Sequence, residues 1–294
     1  MVPVWDQIAH WIGRATGAPF TVARRSAVSG GCINDAWRLE GDDGRWFFVK
    51  TNSSCNEGMF VAEAAGLREI IDTGTVAAPA PVCFGSVENR AFLVLEYLSF
   101  GTADASQALG HELARMHRHT RTDYGWSRDN TIGSTLQVNT PGSDWVEFWR
   151  EQRLGYQLQL ADQNGYGGCL QRKGEQLLQL FPALFSGYIP SASLLHGDLW
   201  SGNQAVTRDG RPVLFDPAVY FGDRETDIAM TELFGGFSTR FYAAYNEVWP
   251  LDEGYPVRRD LYNLYHILNH LNLFGGGYLR QAEQMIERLL SELR

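Results

Sequence analysis

The chain has 294 residues, 44% hydrophobic and 20% charged, which excludes a disordered chain and leaves room for one large domain or two lobes. A net charge of −9 disfavours a nucleic-acid partner held by a basic surface. No window approaches the ~18 consecutive apolar residues of a transmembrane helix, so no membrane association is expected.

The opening MVPVWDQIAHWIG lacks the basic region, apolar run and small-residue cleavage site of a secretory signal. Cys32, Cys55, Cys83 and Cys169 are widely spaced and form no C-x-x-C pair, so neither a zinc site nor a disulfide framework is expected. A reducing, cytoplasmic compartment is the simplest expectation. Residues 1–17 read as an amphipathic helix with Trp5, Ile8 and Ile12 on one face. ARRSAVSGGCIN reads as a strand running into a glycine-rich turn, and DAWRLEGDDGRWFFVK as a hairpin with its tip at Asp42-Asp43-Gly44. Ser54 and Glu57 have the spacing of a capping box that opens a helix over 57–72. APAPVCFG reads as a loop and strand, RAFLVLEYL as a buried strand.

After Leu98 the pattern changes. Segments 104–119, 144–164, 170–181, 227–247 and 256–293 have helical periodicity, interrupted by strand pieces around 194–216. A β-rich front lobe, 1–97, therefore precedes a helix-rich back lobe, 98–294, with the joint near Glu96 to Gly101. The stretch 120–143, rich in Gly, Ser, Thr and Asn, reads as a long loop.

The chemistry-bearing residues concentrate in HGDLWSGN, 196–203, and the segment after it. QAVTRDGRPVLFD places two apolar runs around Asp209-Gly210, a two-residue hairpin signal. In such a hairpin 206 pairs with 213, 205 with 214 and 204 with 215, so Asn203 falls opposite Asp216. An amide oxygen and a carboxylate brought together suit Mg²⁺, which also takes phosphate oxygens and water. Asp198 on the entering loop is then placed to orient a hydroxyl and accept its proton, the layout of phosphoryl transfer to an alcohol. In the front lobe Lys50 ends the strand WFFVK, and Glu63 lies beside the apolar stripe Phe60, Ala64, Leu67 and Ile71. A carboxylate at the edge of a buried face needs a partner; Lys50 is the natural one, and the pair would hold Lys50 against nucleotide phosphates. SGGCIN, with Gly30, Gly31, Cys32 and Asn34, would be the turn over those phosphates. The backbone around Glu96 to Leu98 would meet adenine.

Taken together, these segments resemble the aminoglycoside-phosphotransferase branch of the protein-kinase-like fold. LLHGDLWSGN, LFDPAVYFGDRETDIAM, SGGCIN, DNTIGSTLQ, DWVEFWREQRL and LYHILNHLNLFGGGY closely resemble the fructosamine-3-kinase (ketosamine kinase) family over nearly the whole chain. The resemblance implies an α+β bilobal fold with a β-rich N-lobe and helical C-lobe. It implies ATP and Mg²⁺ as cofactors, and ketosamines, free or on glycated protein lysines, as partners. It makes Asp198 the base, Asn203 and Asp216 the metal ligands, Lys50 the phosphate ligand, Glu63 its anchor, and Asp227 a buried carboxylate bracing the catalytic loop. Against eukaryotic protein kinases, His-Gly-Asp replaces His-Arg-Asp, Asp-Pro-Ala replaces Asp-Phe-Gly, and no Ala-Pro-Glu follows. Rival readings are a kinase of the same fold acting on choline, homoserine or an aminoglycoside, a nucleotide-binding pseudoenzyme, and a metallohydrolase built on His196, Asp198 and Asp216.

Other residues carry two readings. Trp200, inside the catalytic loop, either stacks on a sugar ring or packs into the core. His266, Asn269, His270 and Asn272 form a polar helix face that meets either the substrate cleft, with His270 as a substrate ligand, or solvent. Asp223 and Arg224 read as a structural ion pair or a turn. Cys32 is either a small loop residue or a redox-sensitive thiol, and a Cys32-linked dimer is the one association the sequence suggests.

Overall fold

The computed structural model describes residues 3–29 and 33–294. Gly30, Gly31 and Cys32, expected to form the phosphate turn and the redox thiol, lie outside the described residues. The chain divides into two compact units, Met1–Ala105 with Ala205–Pro217, and Ser106–Gln204 with Ala218–Arg294. A boundary at 97/98 misses the second segment of the first unit.

The first unit opens with helix α1 (Val4–Thr16), which ends where Gly17 adopts the left-handed conformation. Strands β1 (Val22–Val28), β2 (Asp35–Gly41) and β3 (Trp46–Ser53) follow, then α2 (Glu57–Asp72), β4 (Pro81–Val87) and β5 (Arg90–Glu96). The five strands form one antiparallel sheet in the order β1-β2-β3-β5-β4. Every residue from Ala91 to Leu95 is buried, because helices cover both faces of this strand. Phe92 and Val94 join Ile8, Ile12, Leu39, Phe47 and Val49 in the cluster under α1, and strand alternation turns the intervening residues toward the other face. The expected capping box is not formed. Ser54 begins a 3₁₀ turn, no side chain caps α2, and Glu57 instead accepts a hydrogen bond from the Ser86 hydroxyl.

The second unit begins with α3 (Ser106–His117) and β6 (Thr120–Arg121). The segment expected to be a long loop contains a hairpin of β7 (Asn130–Ile132) and β8 (Thr135–Gln137), turning at Gly133. One continuous helical rod follows: α4 (Trp145–Trp149), a π-helical stretch (Arg150–Gly155) and α5 (Tyr156–Gln163). Next come α6 (Cys169–Leu180) and β9 (Ala192–Leu195).

The hairpin of β10 (Gln204–Val206) and β11 (Pro212–Leu214) belongs mostly to the first unit. Its turn differs from the expected two-residue form. Thr207 N–H donates to the Arg211 carbonyl and Gly210 N–H to the Thr207 carbonyl, with Gly210 left-handed. This is a three-residue loop with a glycine bulge, so the register moves by one and the expected pairing of 203 with 216 is not the one formed.

Strand β12 (Tyr220–Gly222) completes a small sheet in the order β12-β9-β6. Helices α7 (Glu225–Leu233), α8 (Thr239–Val248), α9 (Tyr255–Phe274) and α10 (Leu279–Glu292) close the unit. The two long helical segments read in the sequence are each broken at glycines, Gly235-Gly236 and Gly275–Gly277. No helix among the described residues is long and apolar enough to cross a membrane.

The polar face of α9 meets neither solvent nor a cleft along most of its length. Asn269 and His266 are buried. Asn269 accepts from Gln157 of α5, and Asn272 donates to Gln157 and accepts from Asn164. His266 Nδ1 has no hydrogen-bond partner, and burial, with smaller contributions from His270 and Arg153 opposing that of Asp227, pushes its pKa down to about 3. The folded protein thus keeps His266 neutral while the unfolded chain, with a pKa of about 6.5, takes up a proton. The stability contributed by neutral His266 is complete above pH ~6.5 and falls by about 1.4 kcal/mol per pH unit below it. Thermal melts between pH 7.5 and 5 should therefore show a smaller loss of Tm for His266→Leu than for the wild type. Parallel curves would refute the assignment.

Helices α3 and α8 approach through Gly110, where an added Cβ would lie 2.4 Å from the Phe241 carbonyl oxygen and 3.0 Å from Ala244 Cβ. Gly110→Ala should lower stability by about 1–3 kcal/mol through overpacking, against the helix propensity of alanine. In α2, Gly58 meets nothing within 4 Å, and Gly58→Ala should be neutral or raise Tm slightly. Equal responses in a melting experiment would show that the close approach is not limiting.

Candidate active site

Strand alternation places Lys50. Phe47 and Val49 enter the cluster under α1, so Lys50 points to the opposite face of β3, where α2 packs. Phe60, Ala64 and Leu67 of α2 are buried, and Glu63 sits among them. Lys50 Nζ donates to Glu63 Oε1 and to Asp216 Oδ1, each at 2.6 Å. The Lys50 and Glu63 side chains are almost fully buried, whereas that of Asp216 is 46% exposed, so a ligand can reach it. Burial works against the Lys50 charge, but Asp216 and Glu63 outweigh it and push its pKa well up. Burial pushes the Glu63 carboxyl up by more than Lys50 pulls it down. One cation thus faces two carboxylates, an excess of negative charge that a metal ion can offset. Asp216 has a φ of +58°, a left-handed conformation costing a non-glycine residue about 1–2 kcal/mol.

Three further residues expected on the nucleotide side belong to the same unit. Asn34 Oδ1 accepts from Asn52 Nδ2 at 2.7 Å, so its side chain is fixed to β3. Glu96 donates its backbone N–H to the Ala80 carbonyl and accepts the Ala80 N–H on Oε1. Its amide is therefore spent inside the sheet and is not offered to a base. Leu98 lies in the unpaired stretch after β5.

In the second unit, HGDLWSGN leaves β9 as a tight loop. Asp227 is 1% exposed and accepts from the backbone N–H of His196 at 2.7 Å and of Gly197 at 2.8 Å. Its Oδ2 also meets His117 Nε2 at 3.1 Å. Burial opposes the Asp227 charge, yet the hydrogen bond from His117, with the Gly197 amide, holds its carboxyl below the usual range. Behind it the network has one consistent direction. A carboxylate only accepts, so His117 donates from Nε2 and accepts on Nδ1 from the Tyr245 hydroxyl, at 2.8 Å. Tyr245 in turn accepts from Arg224 at 3.1 Å. Burial lowers the His117 pKa, in keeping with a neutral ring. Arg224 also donates to the Trp249 and Pro250 carbonyls, and Asp223 accepts from Tyr262 and Tyr188. Asp223 and Arg224 therefore serve separate networks rather than pairing with each other.

Gly197 has a φ of +83°, and a Cβ there would come within 2.1 Å of the Ala218 carbonyl oxygen. No other residue fits beside Asp198 at this turn. Asn203 is buried, and its Nδ2 donates to the Asp198 carbonyl at 2.8 Å and to Asp198 Oδ2 at 3.2 Å. These two bonds fix the Asn203 amide to the loop that carries Asp198.

Trp200 is 38% exposed, and its indole lies over the backbone of Gly202. The ring is held flat against its own loop rather than sunk in the core. His270 donates Nδ1–H to the His266 carbonyl at 2.8 Å, and its half-buried ring contacts Phe234, Phe274 and Tyr278. Sequence reading missed His117, Tyr245 and the part played by Arg224. His117 and Tyr245 lie 110 and 18 residues from Asp227, and no local spacing links them.

A family model described as fructosamine kinase matches residues 4–292. A probable ketoamine kinase of Synechocystis is 45% identical, with 97% of each chain covered. The chloroplastic protein-ribulosamine 3-kinase of Arabidopsis thaliana is 44% identical over 98% of this chain and 89% of its own. The crystal structure of a candidate fructosamine-3-kinase from Haemophilus somnus superposes with a TM-score of 0.90 at 30% identity, covering 97% of each chain. An aminoglycoside phosphotransferase bound to gentamicin, 13% identical with a TM-score of 0.59 over 100% of this chain and 97% of its own, shares the protein-kinase-like fold. With its sequence matched almost end to end, the chain belongs to the fructosamine kinase family.

Proposed function

We propose that the protein is an ATP-dependent ketosamine kinase that phosphorylates the 3-hydroxyl of fructosamine- or ribulosamine-type adducts. The observation that carries this reading is the family match over 4–292, and the chemistry of the site agrees with it. The acceptor hydroxyl oxygen attacks the γ-phosphorus, ADP leaves, and the hydroxyl proton passes to Asp198. Lys50, held by Glu63, binds the nucleotide phosphates. Asp198 is held facing the acceptor because the loop backbone behind it is tied to Asp227, so little reorganisation is needed when the substrate arrives. Asp216 and Asn203 would hold Mg²⁺, which when bound neutralises charge on the phosphates. The exposed face of Trp200 gives the sugar an apolar wall, and His270 offers Nε2 as a polar contact. An open acceptor mouth, taking protein lysine adducts as well as free ones, and a cytoplasmic, deglycating role belong to the same proposal.

Asp198→Asn should leave the fold and ATP binding intact while lowering kcat about 10²–10⁴-fold on a saturating ketosamine. A rate near that of the wild type would remove Asp198 from the base role. Trp200→Ala should raise KM for the ketosamine while leaving KM for ATP nearly unchanged. Steady-state kinetics with each substrate varied in turn decide this, and an effect confined to ATP would move the acceptor site elsewhere.

A further inference from the structure

The hairpin β7–β8 lies in DNTIGSTLQ, a segment to which the proposed reaction gives no part. Its buried side chains form a chain of amides. Gln137 is 1% exposed and Asn130 7%. Gln137 Nε2 donates to the Ala218 carbonyl at 3.0 Å and to Asn130 Oδ1 at 2.8 Å. Asn130 Nδ2 donates to the Val219 carbonyl at 2.8 Å. Gln137 Oε1 accepts from the Tyr265 hydroxyl at 2.9 Å. Asn139 Nδ2 also donates to Asn130 Oδ1, and Asn139 Oδ1 accepts from the buried Arg153 guanidinium at 2.7 Å. Donor and acceptor ends are all engaged, so neither the Gln137 nor the Asn130 amide can flip without losing partners.

The atoms held are backbone atoms of functional segments. Ala218 and Val219 follow Asp216 by two and three residues. The Ala218 N–H donates to the His196 carbonyl at 2.8 Å, two residues before Asp198, and the Ala218 carbonyl is the group that Gly197 makes room for. We propose that Gln137 and Asn130 are positioning residues for phosphoryl transfer, fixing the Ala218-Val219 backbone and through it the loop that carries Asp198. Ala218 and Val219 are buried, so their carbonyls need donors, and Gln137 and Asn130 supply them at the point where the chain meets the loop. Leu136, between the strand residues that bind, is 46% exposed and makes the internal control. Asp227 holds the loop from one side through the N–H groups of His196 and Gly197. The hairpin holds it through the opposite polar group, the His196 carbonyl, by way of Ala218.

The inference rests on Asp198 as the base, and the test separates the two. The full-length enzyme is assayed with fructosyl-lysine and Mg·ATP as wild type, Gln137→Met, Leu136→Ala and Asp198→Asn. Hydrogen exchange of 194–203 and 217–222 is followed in parallel. Gln137→Met keeps the side-chain length but cannot make these bonds. It should lower kcat about 10–100-fold with both KM values within about threefold. It should also speed exchange of the Ala218 amide relative to the rest of the unit, while Leu136→Ala does neither. If Gln137→Met does not fold, Tyr265→Phe removes one hydroxyl from the same chain and should give a smaller kcat loss with the same exchange pattern. Unchanged kcat and unchanged exchange in a folded Gln137→Met or Tyr265→Phe variant overturn the inference. Should the wild type fail to phosphorylate fructosyl-lysine, or Asp198→Asn retain full rate, the reaction or the base assignment falls. The exchange result then decides the hairpin by itself, with faster Ala218 exchange upholding its hold on the loop and unchanged exchange ending it.

Discussion

One buried carboxylate, Asp227, sets the path of the loop that follows β9 in the second unit. Asp227 sits where solvent cannot reach its charge, and a carboxylate in such a place is tolerable only if donors replace the lost water. Three donors do so: two consecutive backbone N–H groups of the loop and a neutral histidine that is itself polarised through Tyr245 by Arg224. Because the loop supplies two of the three, its backbone path is dictated by the need to keep Asp227 satisfied. The tight turn at Gly197, the exposed Trp200 and the direction of Asp198 follow from that path. Between β9 and the 3₁₀ turn at Ser201–Asn203 the loop has no regular secondary structure to shape it, and the buried charge takes that role.

The first unit obeys the same rule with the sign reversed. Lys50 is a buried cation whose position is set by the two-residue period of β3 and whose partner arrives from α2. Asp216 is the second partner, and it is reached at the cost of a left-handed backbone. Strain of this kind persists where the surroundings over-determine it. Here one carboxylate oxygen is fixed on Lys50 while the group remains open to solvent. A residue that is at once strained, ion-paired and accessible is suited to exchanging partners.

Much of this was legible in the sequence, for identifiable reasons. Period-two and period-3.6 patterns marked β3, β5, α1 and α2, because one face of each is buried against a continuous core. The association of Lys50 with Glu63 could be read because both lie at fixed phases of regular elements. Failures occurred where geometry depends on a single bond. The capping box at Ser54 lost to a hydrogen bond from Ser86 to Glu57, which local spacing cannot foresee. The register of β10–β11 turned on whether Gly210 completed a two-residue turn or a bulge. The polar stripe of α9 read as facing either the substrate cleft or solvent, because nothing in its own spacing announces that Gln157 and Asn164 lie opposite. His117 and Tyr245 were invisible for the same reason: their role is defined by residues far away in the chain.

The division of the chain also bears on the order in which the protein is built. The first unit is discontinuous, since 205–217 belongs to it although 106–204 comes between. Ala77 bridges Val213, and Phe100 bridges Thr207 and stacks on Phe215. During synthesis the five-stranded sheet is complete once β5 has emerged, but the β10–β11 hairpin that bridges Ala77 and Phe100, and Asp216 after it, arrive only after 106–204 has been made. Until then Lys50 has Glu63 alone. The cluster of Lys50, Glu63 and Asp216 is thus completed well after the sheet that carries Lys50, by a contact distant in sequence whose loop-closure entropy is met late.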